Sequence, residues 1–137
     1  MSEGSAAGNT KEALSEKKVL IVDDEAATRA LLRTTVQGTA IPCRILEAVD
    51  GDTAVEIARR TRPDLVLLDI VLPGSASSGV FVCQQLCKDR RTKVVIVSGQ
   101  AGDAVVRACL SVGALAHVKK PFSVPEVRAK IEEWLAD

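Results

Sequence analysis

Asp23, Asp24 and Glu25 follow the aliphatic run "VLIV", Asp69 closes "LVLL", Ser98 closes "VVIV", and Lys120 stands just past "ALAHV". A carboxylate in or beside so apolar a run is costly unless something neutralises it. Taken singly, each residue has an ordinary explanation: an acid after a strand caps a helix, a serine forms a turn, a lysine carries a solvated charge. Gathered at one edge, they could do chemistry. The carboxylates of Asp23, Asp24 and Asp69, if brought close together, would repel one another and titrate as a cluster. A hard divalent cation removes that conflict, because carboxylate and phosphate oxygens with retained water are the ligands that Mg²⁺ favours. Lys120 would then add a movable positive charge able to pair with an anion, and Ser98 a hydroxyl able to hydrogen-bond to it.

Convergence of this kind requires strands that deliver their carboxyl ends to one side. Five apolar runs qualify: "KVLIV" (18–22), "RILEAV" (44–49), "LVLLD" (65–69), "VVIVS" (94–98) and "ALAHV" (114–118). Between them, "EAATRALLRTTVQ" (25–37), "GDTAVEIARR" (51–60), "GVFVCQQLCKD" (79–89) and "DAVVRACLSV" (103–112) carry apolar residues at helical spacings. A last helix is expected in "FSVPEVRAKIEEWLAD", where Ser123 and Glu126 have capping-box spacing and Pro125 suits a first turn. Gly38 and Gly113 stand where the first and fourth helices should stop. Strict alternation of strand and helix implies parallel strands joined by right-handed crossovers, and near-continuous aliphatic strands imply a sheet covered on both faces. The expected fold is an α/β doubly wound sandwich, with polar function in the crevice beyond the carboxyl ends of its strands.

The chain's 137 residues are 47% hydrophobic and 26% charged, which is ordinary for one globular domain. Lysine plus arginine and aspartate plus glutamate both total 18. No net field therefore favours nucleic acid or an anionic membrane, and direct nucleic-acid binding is not expected. Residues 1–16 are small and polar and read as a flexible tail. The chain carries no signal-like segment and no run of about 18 apolar residues, which points to a cytoplasmic protein without membrane association. Cys43, Cys83, Cys87 and Cys109 lack CxxC spacing, and His117 is the one histidine, so a zinc site is hard to assemble. Reduced thiols acting as small hydrophobes are expected instead.

In order along the chain, "VLIVDDE", "LVLLDIVLPG", "VVIVSG" and "HVKKPF" resemble the motif set of the receiver domain of two-component response regulators, in its single-domain, chemotaxis-regulator-like form. The resemblance covers roughly residues 17–137. It implies a flavodoxin-like sheet of five parallel strands in the order 2-1-3-4-5, flanked by five helices. It also implies that Asp69 accepts a phosphoryl group from a phosphohistidine on a sensor histidine kinase or phosphotransfer protein. Asp23, Asp24 and Asp69, with the backbone carbonyl of Val71, would hold Mg²⁺, and Lys120 would pair with the phosphoryl oxygens. Ser98 would close onto the same group and move together with the side chain at 117, where the family commonly has an aromatic residue and this chain has histidine. The domain would be a regulatory phosphoacceptor, assisting only its own phosphorylation and dephosphorylation, and not an enzyme.

Two departures accompany the resemblance: His117 itself, whose titration could couple the switch to pH, and the "GSASSG" loop at 74–79, which is longer than the family pattern. Docking to a downstream target is expected through helix four, strand five and helix five, with Arg107, Val106, His117 and Arg128 as contributors; a homodimer is a separate expectation. No output domain is expected within these 137 residues, which fits either a stand-alone receiver or a piece of a longer protein. Three other readings compete. A phosphatase of the haloacid-dehalogenase type would place its nucleophile on strand one as DxD, whereas the acids there are adjacent. A flavin-binding module would need a phosphate-cradling loop after strand one, and "DDEAAT" would repel a phosphate. A degenerate receiver would bind partners without chemistry, yet every expected site residue is present.

Overall fold

The computed structural model describes residues 16–70, 78–99 and 101–136. Five strands, β1 (Lys17–Val22), β2 (Cys43–Ala48), β3 (Leu65–Leu68), β4 (Lys93–Ser98) and β5 (Ala116–Lys119), alternate with five helices. These are α1 (Ala26–Gln37), α2 (Gly51–Thr61), α3 (Gly79–Leu86), α4 (Asp103–Ser111) and α5 (Val124–Leu135). All pairings are parallel and the sheet order is β2-β1-β3-β4-β5. The doubly wound α/β architecture and its strand order are as expected.

The reason lies in the strands. β1, β3 and β4 are almost wholly buried, and their side chains alternate between two cores. Leu20, Val22, Val66, Leu68, Val94 and Ile96 pack against Ala54, Val82, Cys83, Leu86, Val106 and Cys109 from α2, α3 and α4. Val19, Ile21, Leu65, Leu67, Val95 and Val97 pack on the other face, against Leu32 and Val36 of α1 and Val127, Ile131 and Leu135 of α5. Reversal of winding direction between β1 and β3 opens the crevice at the carboxyl edge of these two strands.

Several boundaries differ from the sequence expectation. β3 ends at Leu68, so Asp69 lies one residue beyond it, although its N–H still donates to the Val22 carbonyl at 2.9 Å. β5 begins at Ala116, because the Ala114 N–H closes the end of α4 on the Cys109 carbonyl before Leu115 joins Val94. α3 stops at Leu86 with Cys87 as its cap, and the polar "KDRRT" that follows makes a turn held by Asp89. Ser123 caps α5 as foreseen, accepting the Glu126 N–H. Gly113 adopts φ +126°, where a side chain would be strained. Gly38 ends α1 in an ordinary right-handed conformation.

The expected tail (1–16, save residue 16 itself), Val71, and all of the 74–79 loop except Ser78 and Gly79 lie outside the described residues. No helix among the described residues is long and apolar enough to cross a membrane.

Candidate functional site

Asp23, Asp24 and Asp69 each offer a carboxylate oxygen within 4.8 Å of the others. Their positions follow from the sheet. Strands β1 and β3 are neighbours in register, with Val22 opposite Leu68, so the residues immediately after them must emerge side by side. Asp23 is fully buried and Asp69 nearly so, whereas Asp24 faces solvent. Asp23 is held on all sides: its N–H donates to the Ala48 carbonyl, and its Oδ1 accepts the Glu25 N–H at 2.9 Å. Its Oδ2 accepts from Lys120 Nζ at 2.8 Å. The same ammonium reaches Asp69 Oδ2 at 3.4 Å.

Lys120 arrives from β5 on the opposite side of β4. Its backbone N–H donates to the Ser98 carbonyl at 3.3 Å, and its peptide bond to Pro121 is cis. Gly99 lets the two segments approach, since a Cβ there would sit 3.2 Å from the Lys120 Cβ. Burial works against the charged ammonium, but the hydrogen bond to Asp23 and the charges of Asp69 and Asp23 outweigh it, and the Lys120 pKa lies above its ordinary value. Buried Ser98 ends β4 beside this pair. Its carbonyl also accepts from His117 Nε2 at 3.3 Å, which requires the proton on Nε2.

The expected cluster of Asp23, Asp24, Asp69, Lys120 and Ser98 is thus assembled at one edge, with His117 joined to it through the Ser98 backbone. The donor set is all oxygen and anionic, three carboxylates that lie together with the Lys120 ammonium against two of them, which fits a hard divalent cation. Glu25 sits at the N-cap of α1 but makes no side-chain cap.

Sequence reasoning missed Arg29. Its Nη1 donates to the Asp23 carbonyl at 2.8 Å, and its Nε pairs with Glu47 Oε1 at 3.0 Å. Arg33 pairs with the same carboxylate. The Arg33 hydrogen bond, opposed by burial and reinforced by Arg29, holds the Glu47 carboxyl below its ordinary range. A signal existed in the helical spacing of Arg29 and Arg33, though nothing local pointed from α1 to β2.

Two docking expectations need correction. Val106 is buried in the core under α4 and cannot meet a partner; Val105 and Leu110 are the exposed apolar residues of that helix. Arg128 lies along Gly38, on the side of α5 that meets α1, so it is not part of the β5 face. Arg107 is exposed and His117 half-buried.

Comparison with known proteins agrees with this geometry. The family model for the response regulator receiver domain matches residues 19–132. The chain is 37% identical over 121 residues to the protein named "Probable transcriptional regulator ycf27" of Guillardia theta, covering 88% of this chain and 46% of that one. It is 32% identical over 119 residues to the DNA-binding response regulator MtrA of Mycolicibacterium paratuberculosis, covering 87% of this chain and 51% of the other. The chain therefore spans about half the length of the curated relatives it matches. Among solved structures, the CheY-like receiver domain protein of Methanospirillum hungatei JF-1 superposes with a TM-score of 0.77 at 27% identity, over 88% of this chain and 94% of that one. With the family model covering most of its length, this chain belongs to the response regulator receiver domains, the phosphoacceptor modules of two-component signalling.

Proposed function

We propose that Asp69 is the residue that takes up the phosphoryl group, from a phosphohistidine of a sensor histidine kinase or phosphotransfer protein, with Asp23, Asp24 and Asp69 holding Mg²⁺. The observation that carries the reading is the meeting of the Asp23, Asp24 and Asp69 carboxylates within 4.8 Å of one another, with the Lys120 ammonium on Asp23 and Asp69. The bound cation would supply neutralisation of the acidic cluster and of the equatorial phosphoryl oxygens. The chain supplies the rest. A carboxylate oxygen of Asp69 bonds to phosphorus as the nitrogen–phosphorus bond of the donor breaks, and the imidazole keeps the electron pair. Lys120, already bridging Asp23 and Asp69, is placed to follow the new negative charge. Ser98 closes onto the acyl phosphate, and because its carbonyl bonds to His117 and Lys120 together, any movement of its segment is felt on β5. The Val71 carbonyl remains the expected backbone donor to the cation.

Signalling then passes to a downstream protein, or a second copy of the chain, docked on the α4–β5–α5 face, with Arg107 and His117 as contributors. Such a kinase donor places the exchange in the cytoplasm. The test is incubation with Mg²⁺ and acetyl phosphate, followed by intact mass. One phosphoryl adduct, absent without Mg²⁺ and absent from Asp69→Asn, is expected; an adduct that persists in Asp69→Asn would refute the assignment.

A further inference from the structure

Away from the acidic site, α3 and α4 bring three thiols together beneath the sheet. Cys83 and Cys109 are fully buried, whereas Cys87, the cap residue of α3, is half-buried. Cys83 Sγ lies 4.0 Å from Cys87 Sγ and 3.8 Å from the Cys109 carbonyl. Gly113 lets its segment pack close against Cys87: a Cβ there would come within 3.2 Å of the Cys87 sulfur and 3.0 Å of its Cβ.

We infer that Cys83 and Cys87 form a redox modification site, in which a peroxide oxidises Cys87 and Cys83 resolves the product to a disulfide across the last turn of α3. The geometry supplies each requirement. A redox-responsive cysteine is solvent-accessible, has thiolate character and stands beside a resolving thiol. Access is at Cys87, and the resolving sulfur is in contact with it. The Cys83 hydrogen bond lowers the Cys87 thiol below its ordinary range despite burial, while Cys83 itself is raised, by that hydrogen bond first and then by burial. Cys109 and Cys43 are raised by burial, which makes them poor competitors for the oxidant.

The reaction balances without any further participant. The Cys87 thiol gives up its proton, its sulfur attacks one peroxide oxygen as the O–O bond breaks, and the departing oxygen takes that proton to leave as alcohol or water, with Cys87 as the sulfenic acid. The Cys83 sulfur then attacks the Cys87 sulfur, the S–O bond breaks, and the departing hydroxide takes the Cys83 proton as water. Two thiols lose two electrons in all, and the peroxide gains them. Residues four apart on an α-helix have Cα atoms about 6.2 Å apart by helix geometry, near the long end of the roughly 4.4–6.8 Å that disulfides span. Because Cys87 is the cap rather than an interior residue, that turn can tighten to close the bond. A bond made at the edge of the permitted range is readily reduced, as a reversible modification requires.

The experiment uses the reduced full chain, exposed to stoichiometric hydrogen peroxide and then alkylated under denaturing conditions. The expected product has two of its four cysteines protected from alkylation, and the peptide carrying Cys83 and Cys87 is lighter by two hydrogens until reductant is added. Cys83→Ser should halt the sequence at a Cys87 sulfenic acid captured by dimedone, and Cys109→Ser should leave the linkage intact. Alkylation of all four cysteines after peroxide, a linkage that includes Cys109 or Cys43, or a bond between two chains would overturn the proposal. The wild-type peptide map decides the matter even if Cys83→Ser folds poorly.

Discussion

Replacing Lys120 with Met keeps most of the side chain's volume and removes its charge, which isolates what the ammonium does for the acidic cluster. Asp23 and Asp69 then retain side-chain exposures of only 1% and 9% with their cationic partner gone. Removing one partner of a buried ion pair costs about 3–5 kcal/mol. A ceiling exists, because a stripped carboxylate can always take up a proton, at a cost of about 4 kcal/mol at pH 7 from the ordinary aspartate value. Lys120 is itself 19% exposed and partly solvated, so a loss of about 2–3 kcal/mol is expected. For a domain of this size that lowers Tm by roughly 8–12 °C. At pH 5 the proton escape costs only about 1.5 kcal/mol, so the deficit should shrink on acidification. Excess Mg²⁺ should shrink it as well, since a cation that binds the folded state replaces the missing charge. The assay is thermal unfolding by circular dichroism, in EDTA and in Mg²⁺, for both proteins. A deficit of equal size in the two buffers, or none in EDTA, would show that the carboxylates do not form one electrostatic unit with Lys120.

Gly79→Ala should destabilise the protein by about 1–3 kcal/mol, because a Cβ there collides with the Ile70 carbonyl and Cβ; since Ile70 adjoins Asp69, phosphorylation by acetyl phosphate should slow in parallel. Unchanged denaturant midpoint and rate would refute that packing. Glu47→Gln should cost about 0.5 kcal/mol at neutral pH, an exposed-pair magnitude. The Glu47 pKa is depressed below its ordinary 4.5 in the folded protein, so its contribution is complete above that value and disappears as pH falls through the folded value. The stability gap between wild type and Glu47→Gln should accordingly close in acid, and a gap that persists at pH 2 would assign the effect to packing.

Legibility of the fold came from contrast along the chain. The aliphatic runs ending at Val22, Leu68, Ser98 and Val118, alternating with helical segments, implied parallel strands, and that sent Asp23, Asp69, Ser98 and Lys120 to one edge. The exact boundaries were not legible, because they depend on nonlocal hydrogen bonds such as Leu115 N–H to Val94. α2 ends at Arg62 in a left-handed conformation without the glycine that would have announced it, just ahead of Pro63. The brace from Glu47 through Arg29 to the Asp23 carbonyl was invisible for a similar reason: it joins β2, α1 and the acidic turn, and no spacing in the sequence encodes which exposed carboxylate an arginine will reach. Val106 and Val105 show the limit of helical periodicity, since a shift of one residue exchanges a core side chain for a surface one.

Reduction of the phosphorylated chain with borohydride, which converts an acyl-phosphorylated aspartate to homoserine, reads the modified residue directly by peptide mass spectrometry. After treatment with acetyl phosphate and Mg²⁺, homoserine should appear at position 69 alone, and should vanish when EDTA replaces the metal. Homoserine at position 23 or 24, or labelling of Asp69 that ignores the removal of Mg²⁺, would contradict a metal-dependent acceptor built from these three carboxylates.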